Sequence, residues 1–223
     1  MTKLCLPIAA KKSADVVAQA AKAKQAGADL VEIWLGELED LEIPELFAQV
    51  ELPILANCKG ADEKGSFGGS EQEKVDLLIT AAQAGAAYVD IDHATEPKLL
   101  TRLHEGKGTA ELILSAHYFA GTPGLPHLTA QLATMLQHTP DVVKFAATPQ
   151  SLKDVVTILR LAEKLMSKSI RHITISMGQQ GKVTRVAAPV FGSEVMFATL
   201  DEAAATAPGQ LSLNQLANIY QLW

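Results

Sequence analysis

Eight short apolar runs punctuate this chain, and amphipathic stretches separate most of them. The runs cover residues 4–8, 30–35, 53–58, 88–91, 112–116, 142–146, 170–176 and 194–200. Runs of this length, buried on both faces, belong to a parallel sheet whose crossover helices cover each side. Helical spacing follows at 13–25, 70–84, 96–105, 125–137 and 151–166, with a closing helix at 212–222. Ser212 supplies a capping hydroxyl, Ser70 is a second candidate cap, and Gly27 and Gly85 stop the helices they follow. Eight such units without a linker-like interruption predict a closed α/β fold, a (β/α)8 TIM barrel of parallel strands. Residues 1–223 then form a single catalytic domain. A doubly wound open sheet is the competitor. It is weakened because no Gly-x-Gly-x-x-Gly turn follows the first run, and residues 177–182 do not match a phosphate loop.

Composition narrows the partners. The 223 residues carry a net charge of -6 and no long Lys/Arg run, which argues against nucleic-acid binding. No stretch approaches the ~18 apolar residues of a membrane span. The N-terminal apolar run is soon broken by Lys11 and Lys12, unlike a secretory leader. Cys5 and Cys58 lie in apolar runs and read as reduced packing residues of a cytoplasmic protein. A small-molecule substrate is the partner that remains.

In a barrel the site lies at the C-terminal ends of the strands. The polar residues there are Glu32 and Trp34 on strand two, Asn57 and Lys59 on three, and Asp90 and Asp92 on four. Ser115 and His117 follow on five and Lys144 on six. Arg185 comes after strand seven, and residues 206–210 after strand eight. Lys144 interrupts Val142-Val143-Lys144-Phe145-Ala146, a run otherwise fit for a dry interior. Burial lowers a lysine's pKa, and a neutral amine attacks carbonyls to form Schiff bases. An ion pair with Asp90, Asp92 or Glu32, or a side chain reaching out to solvent, accounts for the same residue. Strand order places His117 beside Lys144, and imidazole suits proton transfer near neutrality. Arg185 has Glu194 as an alternative partner, and Trp34 reads equally as a cap on the core. No His-x-His or His-Glu-x-x-His spacing exists, so no protein-bound catalytic metal is expected.

These residues carry a family likeness. Ala28-Asp29-Leu30-Val31-Glu32, Tyr88-Val89-Asp90-Ile91-Asp92, Ser115-Ala116-His117-Tyr118-Phe119 with Thr122-Pro123, and Asp141-Val142-Val143-Lys144-Phe145-Ala146 follow one another in order. Ser176-Met177-Gly178, Gly181-Lys182-Val183-Thr184-Arg185, Phe191-Gly192-Ser193 and Ala207-Pro208-Gly209-Gln210 continue the series. The chain resembles the type I 3-dehydroquinases along its whole length. That resemblance implies a Schiff-base dehydratase of the shikimate pathway, which takes 3-dehydroquinate to 3-dehydroshikimate by syn elimination of water. It implies Lys144 as the imine-forming residue and His117 as the proton-transfer group. It implies Arg185, Gln210 and Thr206 at the substrate carboxylate, and Glu32 and Lys59 toward its hydroxyls. No cofactor is implied, and a homodimer is, with Tyr220 and Trp223 as candidate anchors.

The sequence departs from the family pattern at four places. Trp34 stands where the family has an arginine, and Lys59 replaces a second one. The Glu-Gly-Gly motif reads as Phe67-Gly68-Gly69, which removes the carboxylate that supports the histidine, although Asp62 or Glu63 could fold back to replace it. The N-terminal hairpin is missing. These departures leave two other readings beside the dehydratase: a Schiff-base lyase or aldolase for another ketone or aldehyde, and a homologue without turnover.

Overall fold

The structure is a computed structural model that describes residues 2–200 and 209–222. Its strands are β1 (Lys3–Ile8), β2 (Leu30–Trp34), β3 (Ile54–Asn57), β4 (Tyr88–Asp92), β5 (Glu111–Tyr118), β6 (Val142–Ala147), β7 (His172–Ser176) and β8 (Val195–Phe197). They pair in the order β7-β6-β5-β4-β3-β2-β1-β8, each neighbouring pair being parallel. The ring closes where the Glu194 amide donates to the His172 carbonyl at 2.7 Å. This is the (β/α)8 barrel that the alternation of runs predicts, and no hairpin lies beneath it among the described residues.

The helices are α1 (Ser13–Gln25), α2 (Ile43–Phe47), α3 (Glu71–Gln83), α4 (Pro97–Gly106), α5 (Leu125–Leu136), α6 (Leu152–Ser167), α7 (Lys182–Val186) and α8 (Leu213–Tyr220). α6 shows why they dock: Val155, Ile158, Leu161, Ala162 and Leu165 recur on one face and are all buried. Reciprocal capping boxes start α3 (Ser70 with Glu73) and α8 (Ser212 with Gln215). The sequence reading misses α2 and α7, each five residues long and too short for periodicity to register. β8 is shorter than its apolar run, and β5 continues two residues past its own, with His117 on the strand as expected. No helix among the described residues is long and apolar enough to cross a membrane.

The barrel floor is closed by charge. Lys3, Tyr88, Glu111, Arg171 and Glu194 stand at the strands' N-terminal ends. Lys3 Nζ donates to Tyr88 Oη at 2.6 Å and to Glu194 at 3.0 Å. Arg171 spans Glu111 (2.9 and 2.6 Å) and Glu194 (2.9 and 3.2 Å). Burial pushes the Glu194 carboxyl up, but the bonds from Arg171 and Lys3 outweigh it and hold it at about 2. A depressed carboxylate adds stability above its unfolded pKa and loses it as pH falls through the folded one. Arg171→Met is therefore expected to cost about 1–2 kcal/mol at neutral pH after allowance for solvent screening. Below about pH 3 the cost should shrink, as thermal melts across pH would show. Activity at the other end of the barrel should not change.

Candidate active site

Period 2 along a strand sends Glu32 and Trp34 to one side, and likewise Ser115 with His117 and Lys144 with Ala146. At the C-terminal mouth Glu32, Trp34, His117, Lys144 and Ala146 turn inward around a cavity of about 110 Å³. Glu32, Lys59, His117, Lys144, Arg185 and Gln210 all line it. The sequence reading named each of them. Thr206 lies outside the described residues.

Lys144 is 3% exposed and sits 4.7 Å from the Phe197 ring centroid. Its Nζ donates to Asp90 Oδ2 at 2.6 Å and lies 3.8 Å from Glu32 Oε1. Burial alone would lower its pKa. The charges of Asp90 and Glu32 outweigh that, and the pKa is raised. The expected uncharged resting amine is thus corrected: the group is a desolvated ammonium held by Asp90. Of the alternatives, the ion pair with Asp90 is the one found, and the side chain does not reach out to solvent.

His117 is neutral. Burial, then the charges of Lys144 and Lys59, push its pKa well below the usual histidine range. The imidazole stacks on Phe119 with centroids 5.8 Å apart and planes within 6°, and Lys64 Nζ stands 4.4 Å from the Phe119 ring centroid. Its Nδ1 is buried and faces Glu63 Oε1 at 3.6 Å.

Glu63 is the carboxylate beside that imidazole. A 3₁₀ turn over Ala61–Glu63 points it inward, while Asp62 remains exposed. Glu63 lies four residues ahead of Phe67, in the segment that precedes Phe67-Gly68-Gly69. Lys64 adopts φ 64°, a conformation that normally favours glycine. Gly65 lies flat against Lys59: a Cβ there would come within 2.2 Å of the Lys59 carbonyl oxygen. Glu37 anchors the loop by accepting from the Ser66 amide (2.8 Å) and hydroxyl (2.7 Å). Burial, with Asp90 and Asp92 nearby, pushes Glu63 up to about 7, although Lys74 stands 3.5 Å from its Oε2. Glu63, Asp92 and His117 each place one possible ligand atom within 4.8 Å of the others. Lys59, Lys74 and Lys144 bear on the same groups.

Arg185 holds the opposite wall. It is 1% exposed, and its Nη1 donates to the Phe197 carbonyl at 3.1 Å. Its Nε is buried without a hydrogen-bond partner, and burial lowers its pKa to about 10. Glu194 does not pair with it, being held by Lys3 and Arg171 on the floor. Two elements fix Arg185. Thr184 ties α7 to the end of β7 by accepting from the Ser176 amide at 3.0 Å, and Tyr220 on α8 donates to the Arg185 carbonyl at 2.6 Å. Tyr220 thereby has its hydroxyl turned inward while its side chain stays partly exposed, and Trp223 lies outside the described residues. Gly209, at φ 78°, seats the start of the final segment on Gly178, whose carbonyl oxygen would lie 2.2 Å from a Cβ. Gln210 follows at the cavity wall.

A desolvated lysine held by a carboxylate, a neutral histidine and a buried guanidinium with an open donor converge on one cavity. The profile described as Type I 3-dehydroquinase matches residues 4–223. The chain belongs to the type I 3-dehydroquinase family. It is similar to the 3-dehydroquinate dehydratase of Methanothermobacter thermautotrophicus, 35% identical over 217 residues that cover 96% of this chain and 93% of the relative. The 3-dehydroquinate dehydratase structure from Geobacillus kaustophilus superposes with a TM-score of 0.91 at 25% identity, covering 100% of this chain and 91% of that one. The Enterococcus faecalis enzyme gives 0.87 at 27% identity, covering 100% and 94%.

Proposed function

We propose that the family's reaction runs here through Lys144 and His117, with Glu63 as the carboxylate that orients the histidine. The protein is a Schiff-base dehydratase, a lyase of the shikimate pathway that converts 3-dehydroquinate to 3-dehydroshikimate and water. The observation that carries the residue assignment is the short Lys144–Asp90 contact beside a neutral imidazole.

In this reading the substrate carboxylate takes the open donors of Arg185, with Gln210 closing over the same end. The Lys144 ammonium gives a proton to Asp90 as the C3 ketone arrives. The freed amine adds to the carbonyl, and loss of water leaves a protonated imine whose charge the Asp90 carboxylate again balances. The imine draws electrons and acidifies the adjacent C2 hydrogen. His117 takes that proton, the C2 electron pair becomes an enamine, and the enamine expels the leaving hydroxyl with the proton His117 returns. Water then hydrolyses the product imine and restores the amine. Glu32 and Lys59 receive ring hydroxyls. The retained ion-paired lysine and open arginine favour this over a homologue without turnover.

Borohydride trapping with 3-dehydroquinate, read by intact mass, tests the imine. Glu63→Gln tests the orienting carboxylate. It should lower kcat about 10–100-fold. Because Glu63 titrates near 7 and is needed ionised, the parent should gain activity as pH rises through that value, and the variant should lose this limb. An unchanged limb would remove Glu63 from the proposal.

The whole chain serves as one catalytic domain in this reading. Cys5 and Cys58 are free and buried, which suits a reducing compartment and a cytoplasmic enzyme. Exposed Val183 and Val190 around α7 offer apolar contacts for a homodimer.

A further inference from the structure

The family's arginine two residues after the strand-two glutamate is absent, and the structure shows what Trp34 does in its place. Glu32 is 2% exposed and its two oxygens are treated differently. Oε2 accepts the Trp34 indole N–H at 2.9 Å. Oε1 has no hydrogen bond, although Lys59 Nζ lies 3.7 Å away and Lys144 Nζ 3.8 Å. Lys59 Nζ in turn stands 4.4 Å from the indole ring centroid. One side chain therefore holds a buried carboxylate through its edge and a lysine through its ring face.

A tryptophan that merely filled the core would have no reason to aim its only donor at a buried carboxylate on the cavity wall. Indole N–H is a single donor, and here it is spent inside the protein. Trp34 offers the cavity a flat apolar surface and no charge. An arginine has donors to spare and would meet ligand oxygen directly.

The geometry points to Trp34 as a positioning residue that locks Glu32 so that Oε1 alone is presented to the ligand as a hydrogen-bond acceptor. This end of the cavity then selects a neutral hydroxyl, which donates to Glu32 and accepts from Lys59. A second anionic group is disfavoured here, because the cation at this end, Lys59, already faces Glu32 and the indole ring, and the anion would meet the Glu32 carboxylate. The single anion of the ligand is left to Arg185, held against the Phe197 carbonyl of β8. This inference rests on the dehydratase reading for its substrate and not for its geometry.

The test uses the full-length chain with 3-dehydroquinate. Trp34→Phe keeps the ring face and removes the donor. The contact serves ground state and transition state alike, so KM should rise about tenfold while kcat stays within about threefold. A second measurement needs no turnover. The chain has two tryptophans, so the emission of the parent minus that of Trp34→Phe reports Trp34. Glu32→Gln should shift that difference spectrum, since the indole loses its charged acceptor. An unchanged KM in Trp34→Phe, or a fall in kcat at constant KM, overturns the clamp, as does a difference spectrum blind to Glu32→Gln. A spectral shift in a parent that borohydride cannot trap would sink the imine reading and leave the clamp standing.

Discussion

Lys144→Met should form no borohydride adduct with 3-dehydroquinate and should lose turnover on the order of 10⁵-fold. The same substitution should also weaken the fold. Asp90 Oδ2 meets the ammonium at 2.6 Å in a fully buried setting, and removing the cation strands a desolvated carboxylate. Breaking such a pair costs about 3–5 kcal/mol, whereas replacing both partners often costs little. Lys144→Met with Asp90→Asn should therefore recover much of the lost stability and none of the activity. Chemical denaturation of the parent, the single and the double variant separates the two losses. Retained turnover in Lys144→Met would remove the imine. A single variant as stable as the parent would mean that Asp90 takes up a proton at little cost and that the pair does not bind the barrel together.

His117→Ala separates imine formation from elimination. The amine attack does not pass through the imidazole, so substrate should still be trapped on Lys144. Removal of the C2 proton and departure of the hydroxyl do pass through it, and steady-state turnover should fall about 10²–10⁴-fold. Stability should change little, because the ring stands at the mouth against Phe119 with its Nδ1 unbonded. Stopped-flow mixing followed by acid quench and mass measurement would show an adduct that accumulates without forming the conjugated product. Elimination at the parent rate would move the proton-transfer role to another group, with Glu63 the nearest carboxylate.

Much of this site can be read from the linear chain because a barrel converts strand position into spatial position. A polar residue ending an apolar run arrives at the mouth wherever the run lies in sequence. Lys144, His117, Glu32, Lys59 and Arg185 were found in that way, and the family likeness added Gln210. Three features escaped. The charge state of Lys144 depends on Asp90, which the strand pattern offers only as one of several carboxylates. Its closeness follows from the register across three strands. What escaped at Glu63 is its selection over Asp62, since the chain offers both and only the turn shows which one points inward. Only the backbone shows that Lys64 has taken a conformation that normally favours glycine. The Trp34–Glu32 bond escaped because period 2 places the two residues on one side without saying that an indole edge can reach back to the carboxylate. Short helices failed for a different reason: five residues make too little of a turn pattern to separate α2 and α7 from loop.

Gly65 ties two ends of this enzyme together. The backbone contact it permits with Lys59 sets how the chain turns from the hydroxyl-facing lysine to the carboxylate behind the histidine, so the recognition of one part of a molecule and the deprotonation of another are inherited as a unit. Attempts to retune selectivity by rebuilding this loop will move both at once, and directed evolution toward a new ketone should find its freedom at Trp34, on a rigid strand, before it finds any here.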